Sequence, residues 1–204
     1  MKIIRFSLGQ LQANCYFLIE GSECLIIDPA DDASFIIEEL QRRKLKLAGM
    51  FATHGHFDHI MAAGEIQLSL NVPFYISRKD LFLVKRLNET AKYFLGFDPH
   101  SLPPSNIKNL QEGKFEVGSL KLEIIRSPGH TPGSVCYYFS KEKIIFTGDT
   151  LFKQGIGRYD FSYSNKNDLE QSLKKLFKLS KKTTVYPGHG EVTNIENETN
   201  TMIV

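Results

Sequence analysis

The sequence predicts a layered α+β protein in which two β-sheets are covered by helices. Three observations carry that expectation. Short apolar runs rich in Ile, Val, Phe and Tyr recur along the chain, bounded by Gly, Pro, Asn or charged residues. Apolar residues at helical spacing occupy only a few segments. Those segments are interleaved with the strands without regular alternation, which fits covered sheets and not a repeat array.

The elements follow in chain order. The runs 14–20 and 23–28 read as a β-hairpin closed at Gly21-Ser22. Ala33, Ile36, Ile37 and Leu40 mark a helix, with Asp31 or Asp32 as its N-cap. Strands are expected over 47–53 and 73–77, and then over 120–126, 134–140, 143–148 and 184–186. Leu169, Leu173, Leu176 and Phe177 mark a second amphipathic helix with lysines on its outer face. The segment at about 78–109 departs from this pattern. It reads as a helical insertion carrying Phe82, Tyr93, Phe94 and Phe97, then a loop through Pro103 and Pro104. Its aromatics could wall a ligand pocket, form a subunit interface or pack the insertion onto the domain.

With 204 residues, 42% of them hydrophobic, the chain is large enough for one domain, residues 1–204, with a substantial core. A net charge of only +2 argues against nucleic acid as a partner. No apolar run reaches membrane-span length, and residues 1–10 hold no signal-peptide core. Cys15, Cys24 and Cys136 are too few and too scattered for a disulfide framework, and Cys15 and Cys136 fall in expected strands. The expectation is a cytoplasmic protein without membrane or nucleic-acid partners, a monomer or a small homo-oligomer.

The chemistry gathers where strands end. His54 follows the strand 47–53, His130 follows 120–126 after Ser-Pro-Gly, and His189 follows 184–186 after Pro-Gly. Asp149 follows 143–148, so four strand ends each deliver a metal-capable side chain. The densest signal is Thr53-His-Gly-His-Phe-Asp-His59. Its four ligands cannot all face one ion, but a turn at Gly55 could aim them at two. His54, His56, Asp58, His59, His130, Asp149 and His189 make seven donors, too many for one tetrahedral ion. They suit two divalent ions sharing a carboxylate, with zinc as the leading candidate and iron or manganese compatible. His100, in Asp98-Pro-His-Ser, has no such partners and is expected at the surface.

THGHFDH at 53–59, SPGH at 127–130, TGDT at 147–150 and YPGH at 186–189 together resemble the metallo-β-lactamase superfamily motif set in order and spacing. The resemblance covers nearly the whole chain. It implies a four-layer αβ/βα sandwich of two mixed sheets flanked by helices, with the metals in a groove at one edge. His54, His56 and His130 would then hold the first ion, and Asp58, His59 and His189 the second, with Asp149 bridging. Asp28 matches the family's early aspartate and would orient the histidine loop from behind.

Within that family, Gln12-Ala-Asn-Cys-Tyr-Phe17 and Gly155-Ile-Gly-Arg-Tyr-Asp160 look like the compact hydroxyacylglutathione hydrolase (glyoxalase II) branch. That likeness implies hydrolysis of a small thioester, S-lactoylglutathione first, by attack of a metal-bridging hydroxide. Asp58, His59 and Asp149 would be the catalytic residues. Arg158 and Tyr159 would bind substrate, with an Arg158–Asp160 ion pair as the competing role; Asp160 stands where that branch has a tyrosine, for which Tyr159 or Tyr163 could substitute. Few residues follow His189, so no C-terminal helical substrate domain is expected. Arg78, Lys79, Lys85 or Arg86 of the insertion would supply any compensating contacts. A thiolate of parent pKa about 8.5 leaves with little help from an acid, which suits a site with no other acid–base residue. A mononuclear iron persulfide dioxygenase is the alternative, because that branch shares a block like Gly157-Arg-Tyr-Asp-Phe161, although His189-Gly-Glu191 reads as the hydrolase form. Hydrolysis of another ester or lactone is a further alternative, and a non-catalytic metal-stabilised module a third.

Overall fold

Alternation along the second strand sets the architecture. Cys15 and Phe17 turn to one side and Tyr16 and Leu18 to the other, and all four are buried. A strand buried on both faces must lie between two apolar layers. The computed structural model describes residues 1–118 and 120–201.

The first sheet is built from β1 (Lys2–Leu8), β2 (Ala13–Glu20), β3 (Glu23–Ile27), β4 (Lys46–Phe51), β5 (Phe74–Ile76) and β6 (Ile107–Asn109), in that order. Its first three strands pair antiparallel and the rest parallel. Parallel pairing requires crossovers. These are α1 (Ala33–Arg42), then the short α2 (Phe57–Ile60) with α3 (Ala63–Leu70). The last crossover is a 3-10 turn (Arg78–Asp80) with α4 (Leu81–Lys85) and α5 (Leu87–Leu95). Asp32 is the N-cap of α1, its carboxylate accepting from Phe35 N at 3.0 Å. The segment at 78–109 is thus helical where expected, but its last three residues are an edge strand too short to show a period.

The second sheet takes β7 (Gly113–Val117), β8 (Leu120–Arg126), β9 (Val135–Phe139), β10 (Ile144–Gly148), β13 (Thr184–Pro187) and β14 (Thr193–Asn194), with β10 and β13 parallel. A small ribbon, β11 (Leu151–Phe152) with β12 (Gly155–Ile156), follows β10. Two helices, α6 (Lys166–Leu176) and α7 (Ile195–Thr201), complete the described chain.

Three apolar layers hold these parts together. Ile36 and Leu40 of α1 and Ile66 of α3 pack on Phe17, Ile26 and Met50. Between the sheets, Tyr16, Leu18 and Phe51 meet Leu122, Tyr137 and Phe146. On the far side, Leu169, Leu173 and Leu176 of α6 cover Cys136, Ile145 and Val185. Each such side chain contributes about 1.5–3 kcal/mol on burial. The result is the expected four-layer αβ/βα sandwich with two mixed sheets.

Strand β1 lay outside the sequence expectation. It is an edge strand, and Phe6 meets Phe17 and Phe35 edge-on, both at 5.1 Å. All three cysteines are free and buried. Among the described residues no helix is long and apolar enough to cross a membrane.

Candidate metal centre

The loops after β4, β8, β10 and β13 meet at one edge of the sandwich. His54 leaves β4, and Asp58 and His59 ride the single turn of α2, with His56 at its start. Gly148, at φ +49°, turns the chain so that Asp149 follows β10 directly. A Cβ on Gly188 would run into Asp149 Oδ1 and lie 2.8 Å from His59 Cε1, so only glycine lets the β13 loop pass this close.

Three ring nitrogens converge first. His54 Nε2 and His130 Nε2 each lie 3.0 Å from His56 Nδ1. Outer partners fix the tautomers. Thr53 Oγ1 gives its hydrogen to Asp28 Oδ2 (2.8 Å) and so accepts from His54 Nδ1 (3.0 Å). His130 Nδ1 donates to the Arg158 carbonyl at 2.7 Å. His56 places Nε2 2.8 Å from the Tyr163 hydroxyl; with that hydrogen donated outward, all three inward nitrogens are bare.

A second group lies beside it. His59 Nε2 is 3.2 Å from His189 Nε2, and His189 Nε2 is 3.2 Å from Asp58 Oδ2. Asp149 stands between the groups, Oδ1 3.4 Å from His59 Nε2 and Oδ2 3.5 Å from His130 Nε2. The donor atoms form three overlapping triplets, His54–His56–His130, His54–His59–Asp149 and Asp58–His59–His189. Asp149 Oδ1 is buried with no hydrogen-bond partner. A bare buried carboxylate oxygen among bare imidazole nitrogens is a donor set suited to divalent cations. The seven side chains therefore fit divalent metal.

The two halves differ electrically. Burial, reinforced by His130, pushes His56 down to about 3, and burial drives His54 well below the usual histidine range. Burial would also lower His59, but the carboxylates of Asp58, Asp149 and Asp28 outweigh it and raise His59 to about 10. Burial would raise Asp58, yet His59 and His189 hold it below the usual carboxylate range.

Behind the donors, Asp28 accepts from Thr53 N at 2.7 Å and from His59 Nδ1 at 3.0 Å, bracing both ends of the His54–His59 loop. Asp80 was not anticipated from the sequence. Wholly buried, it accepts from Gly55 N (2.9 Å), Gly133 N (2.7 Å) and Thr131 Oγ1 (2.7 Å), tying the His54–His56 loop to the His130 loop. Burial raises its pKa against those three hydrogen bonds. Asn14 and Tyr16 do the same for His189. The Asn14 amide donates to the carbonyls of Pro187 and Gly190, both at 3.0 Å, and the Tyr16 hydroxyl to Pro187 O at 2.6 Å.

The donors open into a cavity of 420 Å³ walled by Leu11, Phe57, Phe94, Phe152, Ile156 and Phe161. Arg158 also lines it, with its guanidinium 4.5 Å over the Phe161 ring and forked onto Asp160 at 2.9 and 2.8 Å. Tyr159 is not among the lining residues; Lys166 Nζ lies 5.8 Å from its ring. His100 is exposed beside Asp98.

Comparison with known proteins gives a consistent picture. The family model described as the metallo-beta-lactamase superfamily matches residues 8–189. A Bacillus subtilis protein named "Probable metallo-hydrolase YqgX" is 34% identical over 97% of this chain and 94% of its own. Hydroxyacylglutathione hydrolase GloC of Haemophilus influenzae is 35% identical over 97% and 95%. Among solved structures, BLEG-1 B3 metallo-beta-lactamase superposes with a TM-score of 0.91 at 32% identity, covering 98% of this chain and 97% of that one. TTHA1623 in a di-iron-bound form gives 0.90 at 32%, covering 98% of both. ETHE1 from Myxococcus xanthus gives 0.77 at 27%, covering 98% and 83%.

Proposed function

The chain belongs to the metallo-beta-lactamase superfamily as a metal-dependent hydrolase, and from that premise we propose that it hydrolyses a small acyl thioester, S-lactoylglutathione first among candidates. The observation that carries the reading is the complete donor set opening into an apolar cavity. The 35% identity to hydroxyacylglutathione hydrolase GloC supports the thioester, and the likeness to di-iron-bound TTHA1623 supports two ions. His54, His56 and His130 would hold one divalent ion and Asp58, His59 and His189 the other, with Asp149 available to both; zinc is the first choice, iron or manganese also suiting these donors.

Ions held there would supply an acidified water and a Lewis acid toward the thioester carbonyl. The protein's own groups do the rest. Asp58, His59 and Asp149 are the catalytic residues that present charge to the reacting centre. Asp28 keeps the His59 Nδ1 hydrogen turned outward, so that Nε2 stays directed inward. Leu11, Phe152 and Phe161 exclude bulk water from the acyl group, which strengthens every electrostatic contact inside. Arg158, in an exposed ion pair worth at most about 1 kcal/mol, is free to exchange Asp160 for a substrate carboxylate. Tyr159, from the adjacent position, is the second substrate-binding candidate. The chain works in the cytoplasm on a small molecule, as a monomer or small homo-oligomer, without nucleic-acid or membrane partners.

The test is the rate of S-D-lactoylglutathione hydrolysis by protein of measured metal content, with and without oxygen. A kcat/KM above about 10⁴ M⁻¹s⁻¹ under both conditions supports the reading. The likeness to ETHE1 and the block 157–161 favour a second reading, persulfide oxidation at one iron. Oxygen uptake with glutathione persulfide, in place of thioester hydrolysis, would select it. Turnover of neither substrate would point to the third reading, hydrolysis of another ester or lactone.

A further inference from the structure

The metal-facing cavity continues past the metals. A second cavity of 490 Å³ adjoins it, and Thr90, Phe94 and Phe161 line both. The other neighbouring space, which shares Leu11, Phe57 and Asp58, measures only 10 Å³ and is lined by Asp31. A substrate whose carbonyl sits at the metals therefore has room to extend in one of these two directions, across Phe94 and Phe161.

The second cavity has a built aromatic wall. Phe161 stacks on Tyr163 with centroids 5.4 Å apart and planes at 14°, and Phe82 meets Tyr163 edge-on at 5.3 Å. Facing them, α5 buries only Leu87 and Ala91, yet presents Tyr93 (82% exposed) and Phe94 (43% exposed) beside the cavity. Phe94 stacks on the buried Phe57 at 5.8 Å and keeps its outer face open, while Tyr93 stays almost wholly exposed; open aromatic faces beside a cavity are typical of a surface that meets a ligand.

Charge narrows the ligand further. Arg86, Glu89 and Lys92 supply the ionic groups of this cavity, a net of one positive charge. Arg86 is forked onto Glu89 at 3.1 and 2.7 Å. Lys92 makes no ion pair among the described residues, so a free ammonium lines the aromatic cavity.

We propose that this second cavity is the leaving-thiol subsite: the acyl group lies over the metals, and a long, anionic, peptide-like thiol runs between Phe94 and Phe161 to a carboxylate contact with Lys92 and Arg86. The proposal rests on the thioester reading and makes α5 the element that selects substrate. Selection then acts on the thiol and not on the acyl group. A short neutral thiol would leave the second cavity empty and forfeit its binding energy.

The experiment uses metal-loaded protein and two thioesters of one D-lactoyl group, one on glutathione and one on N-acetylcysteamine. The wild type is expected to favour the glutathione thioester in kcat/KM. Lys92→Glu, on an exposed helix face, should cut that preference about tenfold or more, chiefly through KM. A preference unchanged within about twofold overturns the subsite. Calorimetric binding of S-methylglutathione to the same proteins decides the question without chemistry. Binding weakened about tenfold by Lys92→Glu supports the subsite, and equal binding or none overturns it. If neither thioester is hydrolysed, the thioester reading fails while the calorimetry still decides whether an anionic thiol is held there.

Discussion

His56 Nε2 and the Tyr163 hydroxyl lie 2.8 Å apart, so a residue just ahead of α6 fixes which nitrogen of His56 faces His54 and His130. Burial pushes the Tyr163 phenol up to about 12, and it stays protonated at neutral pH. Tyr163→Phe removes the acceptor and lets the ring swing. Metal affinity, measured by competition with a chromophoric chelator, should fall about 10- to 100-fold. Unchanged affinity would mean that packing alone orients His56.

Asp80 is the corresponding device for the backbone. Asp80→Ala leaves Gly55 N, Gly133 N and Thr131 Oγ1 without their acceptor in a closed site. Urea unfolding of the metal-free protein should show a loss of about 3–5 kcal/mol. A loss below about 1 kcal/mol would mean that water replaces the carboxylate at no cost.

Asp58 belongs to one triplet only. Asp58→Ala should lower the metal content by about half and abolish hydrolysis, because the two ions act as a unit. Full activity at a verified stoichiometry of one would sink the two-metal mechanism.

Metal loading should release protons. In the metal-free site His59 keeps its hydrogen up to about 10, above the ordinary histidine value, and His189 is raised in the same direction. That protonation stabilises the metal-free fold fully below about pH 6.5 and is lost as pH rises through the folded value. A cation entering at neutral pH must displace a proton, so affinity should rise with pH. Calorimetry in buffers of different ionisation enthalpy should show about one to two protons released as the Asp58–His59–His189 triplet fills. No buffer dependence would place that proton elsewhere.

Arg158 lines the cavity while paired with Asp160. Arg158→Ala is expected to raise KM for an anionic thioester far more than it lowers kcat, the mark of lost uniform binding. An unchanged KM would leave Arg158 with the ion pair alone.

The legibility of these features followed their locality. The His54–His59 loop is six consecutive residues, and His130, Asp149 and His189 each close an apolar run, so pattern alone exposes them. Asp80 has no such signal. It sits in an Arg-Lys-Asp triplet that reads as solvated, and its donors lie 25, 51 and 53 residues away. Only folding brings them together. Strands β1 and β7 were missed for another reason: both are half-buried edge strands in which apolar residues alternate with polar or charged ones, so neither shows the long apolar run that marks the inner strands. The roles of Tyr159 and Tyr163 depend on how the loop before α6 lies over His56, and no period encodes that.

The donors are divided between the two sheets: His54, His56, Asp58 and His59 come from the loop after β4, and His130, Asp149 and His189 from the other sheet. Every triplet draws on both. Neither half of the chain can therefore assemble a site alone, and during synthesis the set is complete only once His189 has emerged and the halves have docked. Metal capture becomes a receipt for finished folding. An ion that binds tightly certifies that the two sheets have found each other, and a chelator that removes it loosens a seam as well as stopping a reaction.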